Sequence, residues 1–556
     1  MTTSTDPLAG PAAAREPYPQ RWIALFVLLA AEIMDLLDAL ITNIAAPSIR
    51  ADIGGGASTI QWLGAAYTLA MAVGLITGGR LGDIVGRRRM FIIGALGFTA
   101  GSLLCAVSRS PESLIAFRGL QGLFGAVMLP QGLGLIKEMF SEKEMASAFG
   151  MFGPVMGLSS VGGPVLAGWL IDADYFGTGW RMIFLINLPL GLLAVVGGLR
   201  FLPESRAARP PRLDLVGVVL AAVASLLVVY PLVQGRELDW PAWTFVSMAA
   251  AVAVFGLFGW YEARKHRTGG DPLVVPSLFR KRGFTGGLIV GLVFFAGISG
   301  FSLVFSLFTQ LGLGYSPLKA GLVGVPLSLG MVGGFGVAQA VKRFGRTVIH
   351  GGIAVMAGGV ACIVLTLHLA GTGVTPWQLL PALVLTGLGM GTLMAPFFDI
   401  VLAGVETHET GSAAGALTAV QQLGSALGVA VLGTLFFGIL GGQVGAATDT
   451  VAPRTLAAAG ISGPARDRLV GALHTCGHDR AAAKDQELVP ASCTRLEGDL
   501  RTAAAPVRQA ALKAGKESAE RGFSDAAKLT LWVEVGLLGL TFMTAFLLPL
   551  RARPEE

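Results

Sequence analysis

Residues 284–309 read FTGGLIVGLVFFAGISGFSLVFSLFT, an uninterrupted run of 26 residues without a charged side chain. A helix needs about 20 predominantly apolar residues to cross the hydrocarbon core of a bilayer. This run is therefore long enough to span a membrane as one helix. It also contains five glycines, which membrane helices use to bring their backbones close together.

Thirteen further runs of this kind occur along the 556 residues. They predict an all-α membrane protein with 14 transmembrane helices. The first run is too long for the apolar core of a cleaved signal peptide, so it is predicted to be a retained span. The fourteen predicted spans are 22–46, 60–79, 91–108, 112–134, 147–170, 181–202, 215–234, 243–262, 284–309, 319–341, 347–369, 377–398, 413–439 and 527–550.

The composition agrees with a membrane protein. Hydrophobic residues make up 53% of the chain and charged residues 14%, whereas a soluble protein carries about 25% charged residues. The chain could not cover the surfaces of several soluble domains. It contains no Walker A, Gly-x-Ser-x-Gly or His-Glu-x-x-His segment, so it is predicted to be neither an ATP-driven exporter nor an enzyme, with no cofactor and no metal.

The net charge of +6 could indicate a nucleic-acid partner or membrane topology, and the positions of the basic residues distinguish the two. With a cytoplasmic N-terminus, 23 Lys and Arg residues fall in cytoplasmic segments and 5 in short external loops. Short cytoplasmic loops of membrane proteins carry such an excess. The bias predicts a multi-pass plasma-membrane protein with both termini in the cytoplasm and no nucleic-acid partner.

Two weak internal matches suggest a repeat. The pair Gly86-Arg87 recurs at Gly345-Arg346, and Ser147-Ala-Phe-Gly recurs as Ser412-Ala-Ala-Gly at nearly the same offset. Parallel six-helix repeats are a known transporter architecture with the substrate site between them. The predicted parts are a cytoplasmic tail (1–21), an N-terminal six-helix half (22–202), an inserted hairpin of spans 7 and 8 with its linkers (203–283), and a C-terminal six-helix half (284–551) that includes a long external loop (440–526).

Span 1 contains three acids at intervals of three residues, Glu32, Asp35 and Asp38, which share one helix face. A carboxylate inside a membrane costs about 2.5–3.5 kcal/mol on insertion scales, so these acids are expected to face a wet cavity. Clustered, partly desolvated carboxylates repel one another, which makes protonation near neutral pH plausible. The alternative is that one or two of them only make structural hydrogen bonds between helices.

Other charged or polar residues inside spans are further candidates. Arg118 and Gln121 lie in span 4, and the depth of Arg118 agrees with that of Asp38 to about 3 Å at 1.5 Å per residue. A proton-coupling role for Arg118 competes with a static ion pair between spans 1 and 4. Glu534 lies in the outer third of span 14, and Asp399 at the cytoplasmic end of span 12 could be a simple interfacial residue.

Two glycine-containing segments are also distinctive. The loop after span 2 contains Gly79, Gly82, Asp83, Gly86 and Arg87, in which the glycines allow a tight turn and the acid can pair with the arginine. The segment of span 5 contains Gly157, Gly163, Pro164 and Gly168, a pattern that bends a helix and permits close packing. Plain topological charge and ordinary glycine packing are the respective alternatives.

Together, the span 1, loop, span 4 and span 5 segments resemble the major facilitator superfamily, and within it the fourteen-helix drug/proton antiporter family of the EmrB/QacA type. The resemblance implies that Arg118 takes part in proton coupling, that the loop acts as a cytoplasmic gating motif, and that the span 5 pattern marks an exporter. The chain departs from the family at Leu40, Ala167 and Lys342, where Thr, Gly and an acid are usual.

The long loop carries two of the four cysteines, Cys476 and Cys493. An external location favours a disulfide between them, whereas a metal site with His474 and His478 is the alternative. Helical patches are predicted at 464–474 and 495–522.

The predicted function is proton-coupled efflux of many amphipathic, often cationic, drug-like compounds by alternating access. The partners would be the small-molecule substrate, protons and the lipid bilayer, with the protein acting as a monomer. The alternatives are a dedicated exporter of one metabolite or antibiotic, and a non-transporting membrane receptor or scaffold.

Overall fold

The computed structural model describes residues 18–141, 144, 147–148, 151–206, 212–406, 409–483 and 489–551. Within these ranges the chain is helical and contains no β-strand. Sixteen helices of twelve residues or more occur there: α1 (Arg21–Ile53), α2 (Ala57–Val85), α3 (Arg87–Ala106), α4 (Pro111–Met139), α5 (Phe152–Ala173), α6 (Asn187–Phe201), α7 (Leu215–Gln234), α8 (Ala242–Arg267), α9 (Arg282–Leu307), α10 (Pro317–Val341), α11 (Arg346–Ala370), α12 (Pro376–Leu402), α13 (Thr410–Ala458), α14 (Gly463–Ala482), α15 (Ala491–Thr502) and α16 (Ala505–Thr544).

Twelve helical segments among the described residues are long and apolar enough to cross a membrane. The all-α membrane class is thereby confirmed. Helices α1 and α5 lie where spans 1 and 5 were predicted but are not among the twelve; α1 carries three acids at its centre. The total of fourteen spans therefore stays a prediction. Below, "external" and "cytoplasmic" refer to the two ends of the bundle in the orientation predicted from the basic residues.

Glycine brings the helix backbones into direct contact in both predicted halves. A Cβ atom at Gly78 of α2 would lie 2.1 Å from the carbonyl oxygen of Ala126 in α4. A Cβ at Gly428 of α13 would lie 1.9 Å from the carbonyl oxygen of Ala296 in α9. Real Cβ atoms cannot approach so closely, so these helix pairs form only because the side chain is absent. The high glycine content is thus a packing requirement.

The two predicted halves meet at the external end through α1 and α9. Ser306 of α9 donates a hydrogen bond to the carbonyl oxygen of Asn43 at 2.9 Å. Gln310, in the helical turn that continues α9, donates to the carbonyl oxygen of Ile44 at 3.0 Å. Because Pro47 follows in α1 and cannot donate a backbone hydrogen bond, the carbonyl of Asn43 lacks its usual helical partner and is open to Ser306.

The inserted hairpin packs along the seam between α2 and α13. Side chains of α7 form a small apolar cluster with side chains of both helices, one from each predicted half. At the external end of the seam, the Trp62 indole of α2 donates to Gln234 of α7 at 3.2 Å. The hairpin therefore touches both halves. The buried members of the cluster are Ala65, Leu69, Val229, Val233, Ala426 and Ala430.

The described residues of the segment 440–526 are mostly helical, well beyond the two helical patches predicted there. Helix α13 continues without a break to Ala458, and α16 begins at Ala505. The extensions of these two helices pack with α14 and α15 around an apolar cluster that includes Leu456, Leu473 and Leu500. A disulfide joins Cys476 of α14 to Cys493 of α15, so neither thiol is available as a metal ligand. Alanine-rich sequence predicted helical patches here but not that they would continue the spans.

Gly428→Ala should destabilise the protein by about 1–3 kcal/mol, because α9 and α13 must separate to accept a Cβ atom. Gly438→Ala is the matched control on the same helix, since a Cβ there meets nothing within 4 Å. The midpoint of thermal unfolding of the purified protein in detergent measures both changes. Equal midpoints for the two variants would contradict the close α9–α13 contact.

A buried ion pair and its neighbours as the candidate functional site

The centre of the candidate site is an ion pair between α1 and α4. The guanidinium of Arg118 donates to the carboxylate of Asp38, and both side chains are only 1% exposed. The Nε of Arg118 also donates to the carbonyl oxygen of Leu63 in α2, at 3.1 Å. The pair therefore joins three helices of the N-terminal half. An arginine cannot lose its charge by deprotonation, so it needs an acid at this depth.

Neutral polar side chains donate further hydrogen bonds to the carboxylate of Asp38. The amide nitrogen of Gln121 donates to one carboxylate oxygen at 2.9 Å, and that of Asn187 in α6 donates to the same oxygen at 2.8 Å. Both amides also donate to the hydroxyl of Ser102 in α3, at 2.7 and 3.2 Å. Buried charges are tolerated when they are paired and hydrogen-bonded in this way.

A second acid of α1 lies beside the pair. The hydroxyl of Tyr67 donates to the carboxylate of Asp35. The ring of the same tyrosine lies 4.3 Å from the Arg118 guanidinium carbon, within cation–π range. Tyr67 therefore contacts Asp35 through its hydroxyl and Arg118 through its ring. Tyr67 thus joins the second acid to the ion pair.

The span 1 acids were expected to face a wet cavity, but in this conformation Asp35 and Asp38 do not. Asp35 and Asp38 are 6% and 2% exposed and lie between helices of one half. Asp38 accepts from Arg118, Gln121 and Asn187, whereas Asp35 accepts from Tyr67. Glu32 lies one turn nearer the cytoplasmic end, is partly buried, and lines a small cavity with Leu28 and Phe91.

Three members of this cluster were not predicted as site residues. Tyr67, Ser102 and Asn187 are all buried. Tyr67 and Asn187 donate to the two acids, and Ser102 accepts from the amides of Gln121 and Asn187. Asn187 had a detectable signal, because an asparagine inside an apolar span requires partners. Single Tyr and Ser residues are too common in membrane helices to stand out, and only the packing of α2 and α3 against α4 gives them a role.

The predicted gating motif is held by contacts within the N-terminal half and with Ser205 in the linker that follows it. Asp83 accepts from Arg87 at 2.9 Å, and Gly86 adopts a φ of +123°, which a residue with a side chain rarely adopts. The backbone N–H of Arg87 donates to the carbonyl oxygen of Ser205 at 2.8 Å. Gly82 packs against Gln131 of α4, where a Cβ atom would overlap the amide. These contacts fix the turn between α2 and α3.

A cytoplasmic segment, residues 271–281, links this motif to the C-terminal half. Arg80 donates to the backbone carbonyls of Asp271 and Pro272. At the other end, Lys281 and Ser277 donate to the carboxylate of Glu409, the lysine at 2.6 Å. Burial raises the pKa of Glu409, but the hydrogen bonds from Lys281 and Ser277 outweigh it and hold this pKa below its usual value. The segment thus acts as a strap across the cytoplasmic end.

The span 5 motif lies at contacts of α5 with α10 and α1. A Cβ at Gly168 would lie 2.3 Å from the Cα of Leu318 in α10, and one at Gly157 would lie 3.2 Å from Val332. Gly163 faces Leu40 of α1 at 3.4 Å, and the Pro164 carbonyl approaches Gly321 of α10. The motif therefore lies where the predicted halves touch, and its small residues allow that contact.

The two remaining predicted acids lie apart from the cluster. Asp399 is exposed near the cytoplasmic end of α12. Glu534 is 1% exposed in α16, next to Gly297 of α9 in the C-terminal half.

The helices and motifs can be compared with known proteins. The family model of the Major Facilitator Superfamily matches residues 27–429. A Streptomyces coelicolor protein named "Probable actinorhodin transporter" is 50% identical over 552 residues, covering 98% of this chain and 95% of the relative. The multidrug efflux pump LfrA of Mycolicibacterium smegmatis is 30% identical over 465 residues, covering 81% of this chain and 90% of the relative.

Solved structures show the same fold at low identity. A bacterial homologue of the human lysosomal transporter Spinster, in an inward-facing and occupied conformation, superposes with a TM-score of 0.56 at 14% identity. The match covers 95% of this chain and 98% of that one.

The fold and relatives are those of multi-pass membrane transporters and not of enzymes. The chain belongs to the Major Facilitator Superfamily, and its relatives include proteins named as a probable actinorhodin transporter and a multidrug efflux pump.

Arg118→Gln should lower the free energy of unfolding by about 3–5 kcal/mol, because it leaves the Asp38 carboxylate buried without a cation. The double variant Asp38→Asn with Arg118→Gln should cost less than the sum of the single variants, since neither charge is then left alone. Thermal unfolding midpoints of the three variants test this. Arg181→Gln, which breaks a partly exposed pair with Asp52, is the control and should change stability by less than about 1 kcal/mol. Strict additivity would contradict the buried pair.

Proposed function

We propose that this protein is a proton-coupled antiporter of the plasma membrane that exports amphipathic compounds by alternating access. The observation that carries the proposal is the buried cluster of Asp35, Asp38 and Arg118 inside the N-terminal half. Ionisable groups inside a membrane are costly and mark ion or substrate pathways. A cluster with two acids and one arginine has one acid more than the arginine can neutralise.

In the proposed cycle, the two acids have different tasks. Arg118 keeps Asp38 ionised, and the amides of Gln121 and Asn187 hold the carboxylate in place. Asp35 has a tyrosine hydroxyl but no cation of its own, so it carries the exchangeable proton. Glu32, one turn closer to the cytoplasm, receives that proton on its way to the cytoplasmic side. A cationic substrate that displaces the proton would couple the two fluxes.

Alternating access requires contacts that can open at each end. On the external side, the candidates are the hydrogen bonds from Ser306 and Gln310 to the backbone of α1. On the cytoplasmic side, the candidate is the strap that runs from Arg80 to Glu409. We propose that spans 1–6 and 9–14 rock as two bodies about the cluster, with both termini in the cytoplasm, and that these two sets of contacts break in turn.

A dedicated exporter of one compound is the second candidate. The observation that favours it is the extent of the similarity to the S. coelicolor protein, 50% identity over nearly the whole of both chains. The similarity to LfrA is lower and covers less of this chain. The same proton-coupling cluster serves either substrate range, so the coupling and the range require separate experiments.

Cells that express the protein should extrude ethidium or actinorhodin, and collapse of the proton gradient with a protonophore should abolish the extrusion. Asp38→Asn should also abolish it, because the neutral amide no longer balances Arg118. Asp52→Asn, which changes an acid at the external end of the same helix, is the matched control and should transport normally. Extrusion that is unaffected by the protonophore would refute proton coupling.

The range of substrates should decide between the two candidates. A broad exporter should protect cells against several unrelated lipophilic cations, each by several-fold in the inhibitory concentration. A dedicated exporter should move actinorhodin or a related compound and leave resistance to those cations within twofold of the empty-vector control. Resistance profiles measured in one host that lacks its own efflux pumps distinguish these outcomes.

A further inference from the structure

We propose that Glu534 is a second proton-binding site, located between α16 and α9 of the C-terminal half and separate from the α1–α4 cluster. This proposal rests on the proposed proton-coupled export. It assigns a coupling group to the half of the molecule that the first cluster does not reach.

The surroundings of Glu534 offer no counter-charge. Its side chain is 1% exposed, and neither carboxylate oxygen has a hydrogen-bond partner among the described residues. An ionised carboxylate in such a place would cost far more than any packing gain, whereas the neutral acid is tolerated. This conformation therefore holds Glu534 with its proton bound, in contrast to Asp38, which is neutralised by an arginine.

The helices packed against α16 confirm that no cation lies at this depth. Helix α9 carries one charged residue, Arg282, at its cytoplasmic start, and α13 carries none between Thr410 and Thr448. The other ionisable groups of α11 and α16 are Arg346, His350, Cys362 and His368 on α11, and eight residues of α16 between Arg508 and Lys528, of which Asp525 and Lys528 pair with each other. The ring of His350 packs against Phe542 and Phe546, two or three turns from Glu534.

The absence of a side chain at Gly297 leaves the space that the carboxyl group of Glu534 occupies. A Cβ atom at Gly297 would lie 2.7 Å from one carboxyl oxygen of Glu534. The acid therefore rests directly on the backbone of α9. A neutral carboxyl group can stay in this contact, but an ionised one needs water and hence a gap between the two helices. Loss of the proton from Glu534 therefore requires α9 and α16 to separate.

Helix α9 connects this site to the rest of the transporter. Nine residues beyond Gly297, about 13 Å along the helix, Ser306 bonds the backbone of Asn43 in α1. Gln310 makes the next such bond, to Ile44. A shift of α9 therefore acts on the external contact between the halves and on the helix that carries Asp35 and Asp38. Protonated Glu534 stabilises the externally closed arrangement, and release of its proton favours another arrangement of α9.

The protonation itself can be tested without a substrate. Infrared spectra of the purified full-length protein at neutral pH should contain the carbonyl stretch of a protonated carboxylic acid in apolar surroundings. Asp35 can contribute to the same band, so the test is the loss of intensity on substitution of Glu534. Glu534→Gln should remove the contribution of one carboxylic acid from the band, and Glu534→Met, an apolar residue of similar length, should remove the same contribution. Glu520→Gln, on the extramembrane part of the same helix, should leave the intensity unchanged. A band of wild-type intensity in both Glu534 variants would overturn the proposal.

The coupling role can be tested in proteoliposomes with ethidium or actinorhodin as the transported probe. Each coupled proton multiplies the substrate gradient by about tenfold per pH unit. Glu534→Gln should therefore lower the steady-state gradient by about tenfold per imposed pH unit, while Glu520→Gln matches the wild type. An unchanged gradient in Glu534→Gln, with a wild type that responds to pH, would refute the second site alone. A wild type that ignores the pH gradient would refute the proposed function instead.

Discussion

The pairing of Arg118 with Asp38 in a dry interior is the constraint on which the N-terminal half depends. Neither charge can be left alone at that depth, because an unpaired buried ion costs several kilocalories per mole. The pair therefore specifies which faces of α1 and α4 meet. Gln121 and Asn187 then fix the orientation of the carboxylate, and they place α6 against the same point. Four helices are positioned by one charge and its partners.

The buried acids of the two halves have different partners. In the N-terminal half, Asp38 is paired with an arginine, and Asp35 accepts a hydrogen bond from a tyrosine hydroxyl without a cation of its own. In the C-terminal half, Glu534 has no partner and relies on the space beside Gly297. A paired acid holds helices together whichever way the protein faces, whereas an unpaired acid responds to the arrival and loss of water. In the proposed cycle the acids without a cation, Asp35 and Glu534, exchange protons, whereas Asp38 stays ionised beside Arg118.

Much of the architecture could be predicted because each span carries its own signal. Apolar runs of about 20 residues indicated where the long helices lie, although α13 and α16 extend well beyond the predicted spans. The spacing of Glu32, Asp35 and Asp38 placed three acids on one face. The depth of Arg118 indicated its partner. Tyr67 and Ser102 could not be found in the same way, because their importance depends on which helix packs beside them. The extension of α13 to Ala458 was also missed, since alanine-rich polar sequence fits both a helix and a surface segment.

The sequence by itself determined the class of protein, its all-α membrane fold and the list of ionisable residues inside apolar segments. These properties follow from local composition, because the bilayer acts on each segment separately. Only the tertiary structure decided which charges are paired and which are not. That outcome depends on contacts between residues far apart in the chain, such as Asp38 with Arg118 and Glu534 with Gly297. Whether an ionisable side chain is buried or paired depends on how the helices pack, which the sequence of a single span does not specify.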